Sequence, residues 1–549
     1  MTSSNDDLIQ IRDSLRQSFA AGVNKTLDFR LKHLKAISDA IYLHYDEACE
    51  ALAGDLGRSR AEAAGELEAV LADLKSQVKG LKSGWMDPEP RTTHMLMTPG
   101  HTEVRREAFG VVLVVAPFNY PLNLGLTPVI GAIAAGNTVV LKPSEMTPLC
   151  EKWFVERLGK ALPKACVSVV QGGIPRTTAL LALQWDFIFF TGSPAVGKIV
   201  SLAAAKHLTP TVMELGGKAP VVVTESVMSI DEAAKRIVLG KFINAGQTCM
   251  APDYVLVHHS QHKALLASLT KFVKQFYGSS PRQSADYGRI CTEAHAARAV
   301  KLIETSGGEV LCGHGCKDLG NDQADVSARF VPPTVVDQPD LASDLMTQEI
   351  FGPILPVLPY GQEDKHANGS DGNSLATVLK LINSIDDQPL ALSVFATDKA
   401  VTEALLEGVQ SGDAMVNETF MHVINPTIPF GGVGRSGHGT YRGRLSFEAF
   451  TYQRGVLWRH GVLDIDQTLP FNVRYPPSGK VRNVLLPHAV GLFPCIPRIF
   501  VWPSPKTLLQ LFVAAMAVYV VLGSESAGVG PLTFVSEKVT EALKYRGYL

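Results

Sequence analysis

The chain has 549 residues, 46% of them apolar, and its 51 Lys and Arg nearly balance its 53 Asp and Glu. That length exceeds a single hydrophobic core and predicts two or three domains, while near neutrality leaves no basic footprint for a nucleic-acid partner. Cysteines scattered from Cys49 to Cys495 lack the density of a secreted disulfide scaffold and imply a reducing compartment, and the polar, acidic Met-Thr-Ser-Ser-Asn-Asp-Asp start has no signal-peptide pattern.

Residues 8 to about 84 are predicted helical, since Leu8, Ile11, Leu15 and Phe19 recur at spacings of three and four, as do Leu27, Leu31 and Leu34. Pro88, Pro90 and Pro99 then break the stretch from Trp85 to Arg106, which suits an arm leaving the domain body. From Gly110 short β-branched runs alternate with helical ones. Val111 to Val115, Thr138 to Leu141, Val167 to Val170 and Phe187 to Phe190 are the expected strands, with crossover helices at Leu124 to Ala135 and Leu149 to Leu162. The pattern predicts an α/β fold with a Rossmann-type, dinucleotide-binding domain.

Three polar side chains then stand at strand exits or in a turn. Asn119 follows the run ending at Val115, as a neutral hydrogen-bond donor. Phe187 to Phe190 lead into Thr191-Gly192-Ser193 and a helix from about Pro194, so Gly192, Ser193 and Gly197 are candidates to seat a pyrophosphate on free N–H groups. Glu214 closes another strand before paired glycines, where partial desolvation suits a general base. A second α/β domain begins there, with a strand at Pro220 to Val223, a helix leading to Asn244-Ala245-Gly246-Gln247-Thr248-Cys249, a strand at Tyr254 to Val257 and a helix at Lys263 to Phe276. A cysteine in so small and polar a turn is a candidate nucleophile, because backbone N–H groups approach the sulfur and an oxyanion beside it. Thiol, carboxylate and amide together suit covalent chemistry on a carbonyl.

Other stretches invite weaker readings. Cys312-Gly313-His314-Gly315-Cys316 lacks a second ligand pair and reads as a loop, with no metal site expected. Residues Tyr360 to Ser374 are charged and glycine-rich, as in a loop insertion. Gly432 to Gly437 spells G-x-G-x-x-G, yet no βαβ pattern surrounds it, so it is a tight loop. Leu508 to Gly523 is a sixteen-residue apolar run interrupted by Gln510; at about 1.5 Å per residue it covers roughly 24 Å, short of the ~30 Å hydrocarbon core. A buried core helix fits that length, but Arg498 and Lys506 precede the run on the side expected to be cytoplasmic, which favours a membrane-anchoring tail that spans or lies in the interface.

Seven motifs now assemble: P-F-N-Y-P, L-K-P-S-E, F-T-G-S-x-x-x-G, E-L-G-G-K, G-Q-T-C, Q-E-I-F-G-P and P-F-G-G-V-G-x-S-G. In their order and spacing, from about residue 8 to about 460, the chain resembles the aldehyde dehydrogenases. The ending Gly439 to Gly443 and Ser446 to Glu448 looks most like their class 3, fatty-aldehyde branch, with Arg442 where that branch usually carries histidine. The resemblance implies an NAD-binding domain over 1–84 and 107–213, a catalytic domain over 214–416, an oligomerisation arm over 85–106 and 417–460, and, beyond the family's fold, the tail 461–549. It implies that Lys142 contacts cofactor ribose, that Glu145 accepts hydrogen bonds from the adenosine ribose, and that Glu349 binds the nicotinamide ribose with Phe351 packed near it; a core aromatic is the alternative for Phe351. A carboxylate at 145 repels a 2′-phosphate, which favours NAD over NADP. Asn417 to Phe420 resemble the lining of the aldehyde entrance.

The expected reaction is oxidation of a lipophilic aldehyde by a homodimer tethered to a membrane, its catalytic part facing the cytosol from the endoplasmic reticulum, mitochondrial outer membrane or lipid droplet. Cys249, Glu214 and Asn119 are its expected catalytic residues. Long-chain fatty aldehydes lead as substrate class, apocarotenoid aldehydes follow, and a non-catalytic membrane-tethered scaffold is the alternative of a different kind.

Overall fold

The computed structural model describes residues 6–94, 97, 100–316, 322–361, 375–459, 476, 495 and 496. Apart from the last three, the expected tail 461–549 lies outside the described residues, as does most of the expected insertion at 360–374. The chain divides into two units, Met1–Trp85 with Glu107–Tyr452, and Met86–Arg106 with Gln453–Leu549.

In the larger unit, strands β1 (Val111–Val115), β2 (Thr138–Lys142), β3 (Val167–Val169), β4 (Phe187–Thr191) and β5 (Thr211–Glu214) form a parallel sheet in the order β3-β2-β1-β4-β5. Every residue of β1 and β2 is buried, which is why they appear as unbroken apolar runs rather than alternating ones. The chain moves outward from β1 to β3, then returns to the other side of β1 for β4 and β5. Loops leaving the carboxyl ends of β1 and β4 therefore diverge and open a crevice, the usual ligand position in such sheets. The stretch expected as one helix at Leu149 to Leu162 is instead Pro148–Trp153, a π-turn at Phe154–Leu158 and a short helix Gly159–Ala161; the wider turn falls where adjacent bulky Trp153 and Phe154 are both buried.

A second sheet contains β6 (Pro220–Val223), β7 (Tyr254–His258), β8 (Glu309–Cys312), β9 (Thr334–Asp337), β10 (Ile354–Tyr360), β11 (Ala391–Phe395) and β12 (Asp413–Val416). Its order is β8-β9-β10-β7-β6-β11-β12, parallel except for β8 against β9. Only residues 215–219 separate the carboxyl end of β5 from the amino end of β6. Side chains leaving the first sheet at its carboxyl ends thus meet loops that enter the second sheet at its amino ends. A short strand β13 (Gly437–His438) closes the first sheet antiparallel to β5, with Gly437 opposite Glu214. Gly437 has φ 128, and a Cβ there would lie 1.9 Å from the Met213 carbonyl oxygen, so no other residue fits. The G-x-G-x-x-G segment is accordingly a 3₁₀ turn, Gly434–Ser436, feeding this edge strand.

The expected arm segment 417–460 needs correction. Residues 417–452 belong to the larger unit, because Phe430, Tyr441, Phe447 and Phe450 are buried there. In the smaller unit, Glu89–Arg91 and most of the strands Gly100–Ala108 and Thr451–Arg459 form a three-stranded sheet, where buried Glu103 accepts hydrogen bonds from Arg105 Nε and Trp458 Nε1, each at 2.8 Å. Among the described residues, no helix is long and apolar enough to cross a membrane.

Candidate active site

Helix Ile230–Phe242 is capped by Ser229, whose hydroxyl accepts the Glu232 N–H at 3.3 Å. Beyond it, Asn244, Ala245 and Gly246 are all left-handed, with φ of 53, 51 and 75°. That conformation is costly for Ala245 and requires glycine at 246, where a Cβ would lie 2.3 Å from the Gly352 carbonyl oxygen. Hydrogen bonds hold the turn in place. Asn244 Nδ2 donates to the Asn119 and Gln247 carbonyls at 2.8 and 3.1 Å, Gln247 Nε2 donates to those of Asn244 and Arg289, both at 3.0 Å, and Gln247 Oε1 accepts the Cys291 N–H at 2.8 Å. Tyr120 and Thr248 hydroxyls bond at 2.8 Å. The exit of β1 and the cysteine turn are thus laced together.

A residue absent from the sequence reading anchors both. Arg58 follows the left-handed Gly57 (φ 63°) that ends helix Tyr45–Leu56. Its Nε donates to Asn244 Oδ1 at 2.9 Å, and its Nη2 donates to the Asn119 carbonyl at 2.5 Å. Its guanidinium covers the Tyr120 ring at 4.3 Å and pairs with fully buried Glu66. Glu66 Oε1 in turn accepts the Asn123 N–H at 2.8 Å. Replacing Arg58 by Met orphans a buried carboxylate, so a loss of about 3–5 kcal/mol of stability is expected. Denaturant unfolding of Arg58→Met checks this; a loss under about 1 kcal/mol would show the pair to be unimportant.

Three groups expected from sequence converge here. Asn119 is 3% exposed and held through its main chain. Glu214, also 3% exposed, has both carboxylate oxygens buried without a hydrogen-bond partner. Burial, then the charge of Asp413, pushes its pKa well above the carboxylate range, with Arg442 opposing. Cys249 is partly exposed. Burial, then Glu349 and Glu214, pushes its thiol up to about 12, with Arg442 and a backbone hydrogen bond opposing. The resting sulfur is therefore a thiol facing two acids and one cation. That cation, Arg442, sits at φ 85°, donates to the Val423 carbonyl, and lies 4.7 and 5.7 Å from the Phe430 and Tyr441 ring centres.

The cofactor candidates leave the carboxyl ends of the first sheet or enter the second. Lys142 ends β2, is 1% exposed and reaches Glu145, itself exposed, at 3.2 Å. Gly192 N–H donates to the Glu214 carbonyl at 3.0 Å. Ser193 caps helix Pro194–Ala205 by accepting the Val196 N–H at 3.4 Å, and a Cβ at Gly197 would lie 2.7 Å from Leu215. Glu349 lies against Gly216, where a Cβ would come within 2.2 Å of its carboxylate, and its Oε1 is buried without a partner. Phe351 is strained at φ 45°, partly exposed, and edge-on to Phe118 with ring centres 5.7 Å apart. It is not a core residue. A dinucleotide suits this set: a capped helix start and glycine turn for phosphate, an exposed carboxylate at a strand exit for ribose hydroxyls, and an acid with an unused acceptor beside the thiol.

A cavity of about 320 Å³ lies between helix Arg60–Lys82, helix Pro121–Ala135 and the 423–426 segment. Ala69, Asp73, Thr127, Val423 and Arg442 are among its lining residues.

A strand-order switch carrying a capped helix start and a glycine turn, set against a cysteine beside buried acids, fits a dinucleotide-dependent enzyme with a covalent thiol step. Comparison with known proteins makes the class specific. The Aldehyde dehydrogenase family profile matches residues 2–456. The chain is 38% identical to 4,4'-diaponeurosporen-aldehyde dehydrogenase of Staphylococcus aureus, over 84% of this chain and 94% of that protein. It is also 38% identical to "Aldehyde dehydrogenase, dimeric NADP-preferring" of Rattus norvegicus, over 84% and 96%. The solved "Substrate bound state of Staphylococcus Aureus AldH" aligns with a TM-score of 0.80 at 36% identity, covering 87% of this chain and 99% of that one. The chain belongs to the aldehyde dehydrogenase family and is an enzyme that oxidises aldehydes with a nicotinamide dinucleotide.

Proposed function

We propose that the chain oxidises lipophilic aldehydes to carboxylic acids, with long-chain fatty aldehydes as the leading substrates. Cys249 loses its thiol proton to solvent water and attacks the carbonyl carbon, while the Asn119 amide and the Cys249 N–H bind the oxyanion, a contribution of ~3 kcal/mol in comparable sites. Lys142, Glu145, Gly192, Ser193, Gly197, Glu349 and Phe351 would hold the dinucleotide, which when bound would supply the hydride acceptor that lets the Cys249 adduct become a thioester. Glu214 then takes a proton from water, which attacks the thioester; the carbon–sulfur bond breaks and the acid leaves. The observation that carries this reading is that Glu214 lies close enough to act on the Cys249 thiol, while the Asn119 carbonyl is bonded to Asn244 in the turn that leads to Cys249, although the three are distant in sequence. The carboxylate at 145 supports NAD as the preferred form.

Lipophilic substrates are supported by Ile424, exposed and lining the cavity, with exposed Met421 and Ile428 in the same stretch of chain, and by the apolar run Leu508 to Gly523. The tail holds the enzyme at a cytosol-facing membrane surface, of endoplasmic reticulum, mitochondrial outer membrane or lipid droplet. Two chains pair through the arm, a reading supported by exposed Leu457 and Trp458 on its sheet and by the rat relative's description as dimeric. The Staphylococcus relative's name favours apocarotenoid aldehydes as a second class.

NADH formation measured side by side with hexadecanal, a short aldehyde and a carotenoid aldehyde tests the substrate class, hexadecanal being expected to give the highest kcat/KM. Preference for the short aldehyde would overturn it. Deletion from about residue 480 should move the protein into the soluble fraction and spare turnover of the short aldehyde; sedimentation of the truncated protein with membranes refutes the anchor.

A further inference from the structure

Glu349 stands between the short helix Asp344–Thr347 and β10, where the chain has no regular secondary structure and charged side chains hold it instead. Lys218 Nζ donates to the carbonyls of Leu345 and Gln348, both at 2.9 Å. Arg298 Nη2 donates to the Glu349 carbonyl at 2.6 Å and Nη1 to the Ile350 carbonyl at 2.8 Å, while Asp253 Oδ1 accepts the Ile350 N–H at 3.2 Å. Lys218 and Asp253, both buried, pair at 2.6 Å. Partly buried Arg298 thus grips the acid's own carbonyl and the next one, a task that suits a planar guanidinium with several donors.

Two costs in this loop call for such a grip. Glu349 lies against Gly216 with Oε1 buried and unpartnered, so that oxygen has lost water and gained no bond in return. Phe351 is left-handed at φ 45°, a conformation that a residue with a side chain keeps only where its surroundings over-determine it. The peptide joining Ile350 to Phe351 sets that angle, and its carbonyl is the one bonded to Arg298 Nη1. Helix Glu293–Glu304, which carries Arg298, supports Phe351 a second way: His295, one turn earlier on the same face, stacks on Phe118 with ring centres 5.4 Å apart, and Phe118 meets Phe351 edge-on at 5.7 Å.

We propose that Arg298 is a positioning residue for the cofactor: by fixing the Glu349 and Ile350 carbonyls it holds the unused Glu349 oxygen where a ribose hydroxyl donates to it. The inference rests on the cofactor role of Glu349 proposed above. Without Arg298 the strained peptide before Phe351 is free to relax, and it carries the acid with it. Cofactor affinity then falls, but only while Glu349 is there to be positioned. Asn119 and the cysteine turn are held by Arg58, Asn244 and Gln247 instead, so the aldehyde side is left in place.

The test is NAD binding to the full chain by calorimetry, joined to steady-state kinetics with a short aldehyde. Arg298→Met is expected to bind NAD about tenfold more weakly and to raise KM for NAD by a similar factor, the order of coupling seen between residues in contact, with KM for the aldehyde within about twofold of wild type. Arg298→Lys, which keeps a donor for one carbonyl, should fall between the two. Glu349→Gln should bind weakly, and adding Arg298→Met to it should weaken binding no further, because nothing is left to position. Weakening by the same factor with and without Glu349, a matching rise in KM for the aldehyde, or wild-type affinity in Arg298→Met overturns the inference. If Glu349→Gln binds weakly while Arg298→Met does not, the inference alone falls; if Glu349→Gln binds like wild type, the reading of Glu349 falls with it. Should Arg298→Met fold poorly, Arg298→Lys is carried through the same pairing with Glu349→Gln, and the same outcomes decide.

Discussion

Replacing Cys249 by alanine is expected to lower NADH formation by at least about 10⁴-fold, on the scale of losing a covalent nucleophile, while leaving NAD binding intact. The remaining described thiols offer no substitute. Cys49, Cys150, Cys166 and Cys291 are buried, while Cys312 and Cys316 lie at or just beyond edge strand β8. The turn that carries Cys249 survives the change, because Asn244, Gln247 and Arg58 hold it without using the sulfur. A steady-state assay with a short aldehyde, paired with a dinucleotide titration, decides the matter. Residual turnover within about tenfold of wild type would remove Cys249 from the mechanism.

Glu214→Gln separates the two halves of the reaction. The amide keeps the shape of the side chain but takes no proton from water, so one equivalent of NADH should appear in a burst and the acyl group should stay on the enzyme, visible as added mass. Steady-state turnover is expected to fall about 10²–10⁴-fold, the usual range for a lost general base. Continued turnover without a burst would reassign the base. The variant also has a stability signature. Glu214 has a folded-state pKa raised above the unfolded value of about 4.3; its contribution to stability is full below that value and is lost as pH rises through the folded one. Glu214→Gln should therefore melt higher than wild type at alkaline pH, and the difference should shrink toward pH 4. The raised values of Glu214 and Cys249 also place the acid limb of wild-type activity on the alkaline side, so kcat/KM is expected to climb as the medium is made basic.

Much of the first sheet was legible because parallel strands buried on both faces must be apolar throughout, and β1, β2 and β4 lie within a residue of their expected bounds. The candidate site residues stood out only together: a thiol, a carboxylate and an amide, each beside small residues, are unremarkable singly and suit carbonyl chemistry as a set. The helix expected at Leu149 to Leu162 was not seen as broken, because a π-turn preserves the apolar spacing that announces a helix. Residues 417–452 were assigned to the arm for want of any local sign that their aromatic side chains are buried in the larger unit.

By itself, then, the sequence determined the strand and helix alternation and the family, and it supplied Asn119, Glu214, Cys249 and the dinucleotide set as candidates, since each is written in local spacing or in a contiguous motif. Tertiary structure alone decided what holds and charges them. Arg58 bonds to a residue 186 positions away, and Lys218 meets Asp253 across 35. No periodicity marks such partners, because burial and ion pairing are properties of the packed chain: the desolvation that lifts Glu214 and Cys249, and the counter-charges that temper it, exist only once the two sheets have closed around them.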